Sequence, residues 1–472
     1  MVFNSLTFLV FFLTIVLLHN LLFSWQIKKF NLLLASYIFY AAWNPPFVIL
    51  LWISTVADWY LALWIYKENR KSRKRLFVAL SLAVNLGLLG YFKYGDFVLE
   101  NFIHALHLFG IDFHAAMPDI ILPIGISFYT FQTLSYTLDV YRGKTMPGKS
   151  FLDYALYVTF FPQLVAGPIV RATDFLPQCL QPRKATIKQF GWGLSLLAMG
   201  LFQKVILADS LLAPIVEKVY DTQEKIGTLE AWTGTLAFSG QIFFDFSGYS
   251  TCAIGAAMCL GFALPDNFRF PYAAIGFSDF WRRWHISLSS WLRDYLYISL
   301  GGNRYGSIKT YTNIMVTMLI GGLWHGASWT FVIWGGLHGI YLVIERGMRR
   351  LFSDQAIIIN FRYTRILLAL FTFLCVTITW VFFRAEDLNT ALSILSSMFS
   401  HTETVVYMAD EIITVLLIMP GLFALHWYLR DSYIEHVAAL LPWWLVSVFF
   451  TTIIIILAVN PGENRAFIYF QF

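Results

Sequence analysis

Long apolar stretches alternate with short polar ones along the chain. About eleven of them approach the roughly 20 mostly apolar residues that a membrane-spanning helix needs, some broken by Pro, Gly or a polar residue. Leu6 to Phe23 has no basic n-region and no small-residue cleavage pattern after it, so it is expected to be a retained helix rather than a signal peptide. Three clear spans are predicted near 363–383, 411–428 and 442–459. Two stretches are interrupted. Residues 152–170 carry Pro162, Gly167 and Pro168, and "GGLWHGASW" (321–329) cuts another apolar run. Broken backbone at membrane depth is tolerated only where protein or a wet cavity covers it, so both are candidates for re-entrant segments.

Residues 277–298, "FSDFWRRWHISLSSWLRDYLYI", follow a different pattern. As one helix, Phe277, Phe280, Trp281, Trp284, Leu288, Trp291, Leu292 and Tyr295 fall within an arc of roughly 120°. Arg282, Arg283, Ser289, Ser290, Arg293 and Asp294 take the rest, and His285 sits on the rim. An aromatic face with arginines opposite predicts a helix lying in the membrane interface against lipid. Arg282 and Arg293 project close together, as would suit a phosphate-bearing ligand or anionic headgroups. Asp279 and Arg283 form an i,i+4 pair worth a few tenths of a kcal/mol.

Composition strengthens the membrane reading. The 472 residues are 58% hydrophobic and 13% charged, against about 25% charged in soluble chains. Aromatics reach 18%, which suits helix ends at membrane interfaces. The densest charge run, "KENRKSRKR" (67–75), is expected to be cytoplasmic; a nucleic-acid patch is not expected between two spans. The same assignment puts Lys28 and Lys29 inside, the "WNPP" turn outside, and 142–149 and 345–350 inside. Both termini then lie outside, so an even number of complete crossings is required. The chain reads as one transmembrane domain, with N-terminal helices (1–100), a central core (118–345) and C-terminal helices (360–472).

Polar groups inside apolar stretches are the candidates for chemistry. Gln241, Asp245 and Tyr249 share a helical face in "FSGQIFFDFSGYS". An intramembrane carboxylate faces protein or water and is functional by default, although an interhelical hydrogen-bond network explains it equally well. Asp58 in "STVADW" carries less functional weight, and Lys204 and Asp209 read as an interfacial end. His325 and His338 lie 13 residues apart, about 220° around an unbroken helix, so they share a face only if Gly321, Gly322 and Gly326 break it. A neutral imidazole that accepts and returns a proton near pH 7 is what hydroxyl acylation requires; a satisfied core histidine is the alternative. No metal is expected at these histidines, because i,i+4 ligand partners are missing. Cys179, Cys252, Cys259 and Cys375 lack ligand spacing and read as small buried hydrophobes. No GxSxG or Walker loop is present.

At these residues the chain resembles the alginate O-acetyltransferase branch of the membrane-bound O-acyltransferases (MBOAT). The segments that carry the resemblance are "IGISFYTFQTLSYTLDVYRG", "FPQLVAGPIVR", "FFDFSGYS", "NFRFPY", "DFWRRWHISLSSWLRDYLYISLGGNR", "GGLWHGASW" and "VFFRAED", which run nearly end to end. The resemblance implies an all-α polytopic fold, with a ring of about 11 transmembrane helices and re-entrant pieces around a central funnel or tunnel. It implies that His325 is the catalytic histidine and that His285, the second family histidine, is its catalytic companion lining the tunnel. Asp245, Asn267 of "NFRFPY", Trp324, His338, Arg282 and Arg293 are further substrate or tunnel candidates. It implies acetyl transfer from a cytoplasmic donor, acetyl-CoA, across a bacterial inner membrane to an exported polysaccharide, most readily alginate. No bound cofactor is implied. A periplasmic SGNH-hydrolase-like partner would complete the transfer. Peptidoglycan or cellulose as acceptor, a long-chain donor, and a transporter of an acyl carrier without chemistry are the alternatives.

Overall fold

The computed structural model describes residues 1–118, 120–222, 226–351, 361–400 and 409–460, and beyond these only 462, 465, 467 and 468. The C-terminal residues 469–472, expected on the outer side, lie outside the described residues. Every regular element among the described residues is helical. Among the described residues six helical stretches are long and apolar enough to cross a membrane, and three shorter apolar helices accompany them. The chain divides into two units, Met1–Leu197 with Ala253–Pro265, and Ala198–Cys252 with Asp266–Phe472.

The first unit contains α1 (Leu6–Asn20), α2 (Trp25–Ala41), α3 (Val48–Lys67), α4 (Lys71–Leu108), α5 (Ile126–Tyr141), α6 (Phe151–Thr159), α7 (Phe161–Leu164) and α8 (Ala172–Cys179). Asp58 on α3 is a structural hub. It accepts hydrogen bonds from Ser81 and Asn85 of α4 and Thr137 of α5, the last two at 2.6 and 2.9 Å. The carboxylate is fully buried, and three donors from two other helices replace its water. Lys29 is buried too and pairs with Asp153, so of the two lysines used as a topology marker only Lys28 is available as a loop charge. The interrupted stretch 152–170 forms α6 and α7, with the break at Phe160 before Pro162. Residues 153–170 are buried throughout, which is the cover that irregular backbone at membrane depth requires.

Two further helices hold residues of both units, α9 (Ile187–Leu201) and α11 (Thr228–Cys259). Within the first unit Gly193 lies against Gly255 and Cys259; within the second Gly200 lies against Gly248 and Cys252. A Cβ on Gly200 would come within 2.5 Å of the Gly248 carbonyl oxygen, so small residues set the approach of these helices, as is common in membranes. The two cysteines are buried at this contact.

In the second unit a π-helical stretch (Phe202–Leu212) continues into α10 (Ala213–Tyr220). In an α-helix residues five apart point about 140° away from each other; the wider π-turn lets Lys204 and Asp209 face the same way and pair at 2.8 Å. Lys204 also pairs with Asp245 of α11, and the backbone N–H of Ile468 donates to Asp245 at 3.0 Å. Asp245 is therefore held in a buried charge cluster with two partners that the sequence reading had placed at an interfacial end.

Next come α12 (Phe277–Trp281), α13 (Ile286–Trp291), a π-turn (Leu292–Tyr297), α14 (Gly306–His325) and α15 (Trp329–Leu351). They are followed by α16 (Arg362–Arg384), α17 (Leu388–Phe399), α18 (Ala409–Leu429), α19 (Ile434–Leu440) and α20 (Trp443–Val459). The hairpin of α14 and α15 is closed by glycine. A Cβ on Gly322 would meet the Phe331 carbonyl oxygen at 2.2 Å, and one on Gly335 the Met318 carbonyl oxygen at 2.3 Å. The glycines at 321 and 322 thus do not break the helix. Gly322 and Gly335 let the two backbones touch, Gly321 faces the Leu292 side chain, and the break follows at Gly326, where the chain becomes extended.

Candidate active site

Residues 277–298 do not form the single interfacial helix that the periodicity predicts. The helix stops after Trp281 and restarts at Ile286, and His285 between them adopts the left-handed conformation, with φ of +43°. That conformation costs a non-glycine residue on the order of 1–2 kcal/mol, so tertiary contacts must hold it. They come from the segment before: the Arg269 N–H donates to the Arg283 carbonyl, and the Ile286 N–H to the Asn267 carbonyl, both at 2.9 Å. Arg283 is locked further. Its Nε reaches Asp279 at 3.0 Å, Asp279 also holds Arg430 at 2.7 Å, and Arg283 donates to the Arg430 carbonyl at 2.8 Å. The weak helical pair expected from sequence is in fact part of a half-buried network from two parts of the chain.

Asn267 sets the proton on His285. Its Oδ1 accepts from the Ser287 backbone N–H at 3.3 Å and from the Ser287 hydroxyl at 2.9 Å, while its Nδ2 donates to Ser250 at 3.1 Å. A backbone N–H can only donate, which fixes the orientation of the amide. His285 Nδ1, 3.1 Å from the same Oδ1, must therefore carry the proton, and Nε2 is the acceptor nitrogen.

His325 is the last residue of α14 and is 3% exposed; His285 and His338 are fully buried. The rings of His325 and His285 are 6.3 Å apart, and Trp324 stands against both at 5.0 and 5.8 Å. Trp334 and Phe383 close the other side of His325 at 5.0 and 5.3 Å. His338 stands about one helical turn beyond Trp334 on α15. It contacts Trp334 at 4.8 Å and stacks on Phe280, and its Nε2 bonds the Thr379 hydroxyl at 3.1 Å. The break at Gly326 brings both histidines of the hairpin against Trp334.

A cavity of about 440 Å³ opens on His325 and Trp334, within the usual range of small-molecule sites, roughly 300–1,000 Å³. Its apolar wall includes Trp281, Leu288, Leu292 and Ile314. Arg282, Arg293, Arg346 and Arg349 also line it, and none of the lining residues is acidic. Arg293 pairs with Asp294 and Arg349 with Glu345, so part of this positive charge is neutralised; the remainder still favours an anionic ligand with an apolar arm. His285, Asn267, Asp245 and His338 are not among its lining residues. Asp245 serves the lysine cluster, and its neighbour Phe246 touches His285 at 4.6 Å.

Sequence reading missed Trp334, Arg346 and Arg349 as site residues. A signal existed. On α15, Trp334, Leu342, Arg346 and Arg349 fall within an arc of about 120°, but by sequence residues 345–350 read as a cytoplasmic basic run.

Residues 145–386, which include every residue of the cavity and of the histidine cluster, match the family of membrane-bound O-acyltransferases, MBOAT. A probable alginate O-acetylase of Azotobacter vinelandii is 43% identical over 401 residues, covering 85% of this chain and 78% of that protein. The chain belongs to the MBOAT family. A peptidoglycan O-acetyltransferase of Helicobacter pylori is 40% identical over 403 residues, 78% of this chain and 73% of that one. A teichoic acid D-alanyltransferase of Bacillus subtilis is 27% identical over 266 residues, 53% of this chain and 65% of that one. As an MBOAT protein the chain is a multi-pass membrane O-acyltransferase, and its all-helical architecture agrees with the expected fold class.

Asn267→Ala removes the acceptor that fixes the His285 tautomer. Acyl transfer is expected to fall about tenfold or more, mainly in kcat, while Asn267→Ser keeps an acceptor and recovers part of the rate. Steady-state kinetics on both variants check this; equal losses would reduce Asn267 to a packing role.

Proposed function

We propose that this MBOAT protein transfers acetyl groups from acetyl-CoA at a cytoplasmic cavity mouth, for O-acetylation of an exported polysaccharide, most readily alginate. The observation that carries the reading is a cavity that has four arginines along its wall and His325 at another part of it. The arginines would hold the donor's phosphates by charge-assisted hydrogen bonds, and the acyl-bearing arm would extend to His325 between Trp334 and the aliphatic wall. His325 takes the proton of the acceptor hydroxyl as that oxygen attacks the thioester carbonyl. The carbon–sulfur bond then breaks, and CoA leaves as thiolate. His285 is a positioning residue that reaches the reaction through Trp324 and His325. The curated relatives with alginate and peptidoglycan in their names support an exported glycan as final acceptor, and a periplasmic SGNH-hydrolase-like partner would complete the transfer.

The test is acceptor-dependent release of CoA thiol from purified protein in detergent, with acetyl-CoA and palmitoyl-CoA compared as donors. Release with acetyl-CoA alone supports the reading; preference for palmitoyl-CoA moves it to a lipid acyltransferase. No release from either donor, with transport intact in vesicles, overturns it. Arg282→Ala with Arg293→Ala removes two charged contacts to the donor. Each is worth about 1.5–3 kcal/mol when desolvated and less here, because Arg293 is 64% exposed. The double variant is expected to raise the KM for acetyl-CoA roughly tenfold with little change in kcat, and added salt should shrink the difference.

A further inference from the structure

Helix α4 ends at Leu108, and its end is shaped by Gly110. Gly110 takes φ of +74°, and the Ile111 N–H donates back to the Leu106 carbonyl at 3.0 Å. This is the bonding of a glycine-terminated helix end, which turns the following chain back along the helix. The Phe113 ring then packs on Phe102 of α4, with centroids 6.2 Å apart. Asp112 and His114, on either side of Phe113 in sequence, come together beyond the helix end. There they meet His107 of the last helical turn. Asp112 Oδ1 lies 3.0 Å from His114 Nε2 and 3.8 Å from His107 Nδ1, and one ligand atom from each of the three falls within 4.8 Å of the others.

Electrostatics alone gives a weak reason for this convergence. The three side chains are 42%, 78% and 79% exposed, and exposed pairs of this kind contribute at most about 1 kcal/mol. A tetrahedral zinc ion held at about 2.0–2.1 Å spaces its ligand atoms about 3.3 Å apart. The observed 3.0 and 3.8 Å bracket that spacing, and exposed side chains adjust by a few tenths of an ångström.

We infer that His107, Asp112 and His114 form a binding site for a divalent transition cation, with Zn²⁺ as the fitting ion. Two imidazoles and one carboxylate with a fourth position left to water is a three-protein-ligand zinc set. Imidazole ligation disfavours Mg²⁺ and Ca²⁺, which take all-oxygen shells. Bound metal would clip the segment after Gly110 to the end of the 38-residue helix α4. The site is separate from the acyl-transfer cavity, which none of these residues lines.

Tag-free full-length protein in detergent is titrated with Zn²⁺ by calorimetry, beside Mg²⁺ and the His107→Ala/His114→Ala variant. One equivalent of Zn²⁺ should bind the wild type, Mg²⁺ should not compete, and the variant should bind more than about tenfold more weakly. Co²⁺ in place of Zn²⁺ should give tetrahedral d–d absorption in the wild type alone. Size-exclusion elution and CoA release unchanged in the variant exclude misfolding as the cause of lost binding. Equal Zn²⁺ binding by wild type and variant, or none by either, overturns the site.

Discussion

His325→Ala should reduce acyl transfer by roughly 10²–10⁴-fold, the usual worth of a positioned general base, while the protein stays folded. The ring borders the cavity of about 440 Å³, so its removal extends an existing space and does not open a sealed one. That keeps the stability cost toward the low end of core truncations. The loss should fall on kcat, because the arginines proposed to hold the donor are untouched. Acetyl-CoA should therefore still bind with near wild-type affinity. Size-exclusion elution, donor binding and CoA-release kinetics on the purified variant check the three parts separately. A variant that elutes normally and turns over near the wild-type rate removes His325 from the chemistry. Lost donor binding would make its role one of shape.

The largest effect on stability is expected at Lys204. This lysine serves two buried carboxylates, Asp209 and Asp245, with side chains 5% and 1% exposed. Lys204→Met leaves two negative charges facing each other without their cation. Breaking a buried pair by removing one partner costs about 3–5 kcal/mol, and here both partners are stranded together. Asp245→Asn leaves one lysine and one carboxylate, and the amide oxygen can still accept the Ile468 N–H. Its cost should be less than half as large. Denaturant unfolding in detergent and membrane yield rank the two variants; the reverse order would show that the lysine is not the shared counter-ion.

The apolar pattern carried the gross architecture. Spans expected at 363–383 and 411–428 are helices Arg362–Arg384 and Ala409–Leu429, because a lipid-facing helix writes its length directly into composition. The interruptions at Pro162 and Gly326 were equally legible, since proline and glycine act locally. What sequence could not supply was pairing at long range. The stretch 277–298 has sound helical periodicity, yet backbone bonds from 267–269 take hold of 283–286 and break it at His285. Asp245 and Lys204 looked unrelated because they lie 41 positions apart and the π-turn changes which face Lys204 presents. Asn267 stood out only through the "NFRFPY" resemblance, and its hold on the His285 proton emerged from the folded loop.

The glycine contacts between α14 and α15 have a consequence for redesign. They fasten His325 and Trp334 to one stiff hairpin, whereas the aliphatic side of the cavity at Leu288 and Leu292 belongs to other elements. Leu288 and Leu292 can therefore be varied without touching the hairpin that carries His325, although Ile314 and Leu342 of that hairpin also line the cavity. Carving the Leu288 and Leu292 wall offers a route to longer acyl donors that leaves His325 where it stands.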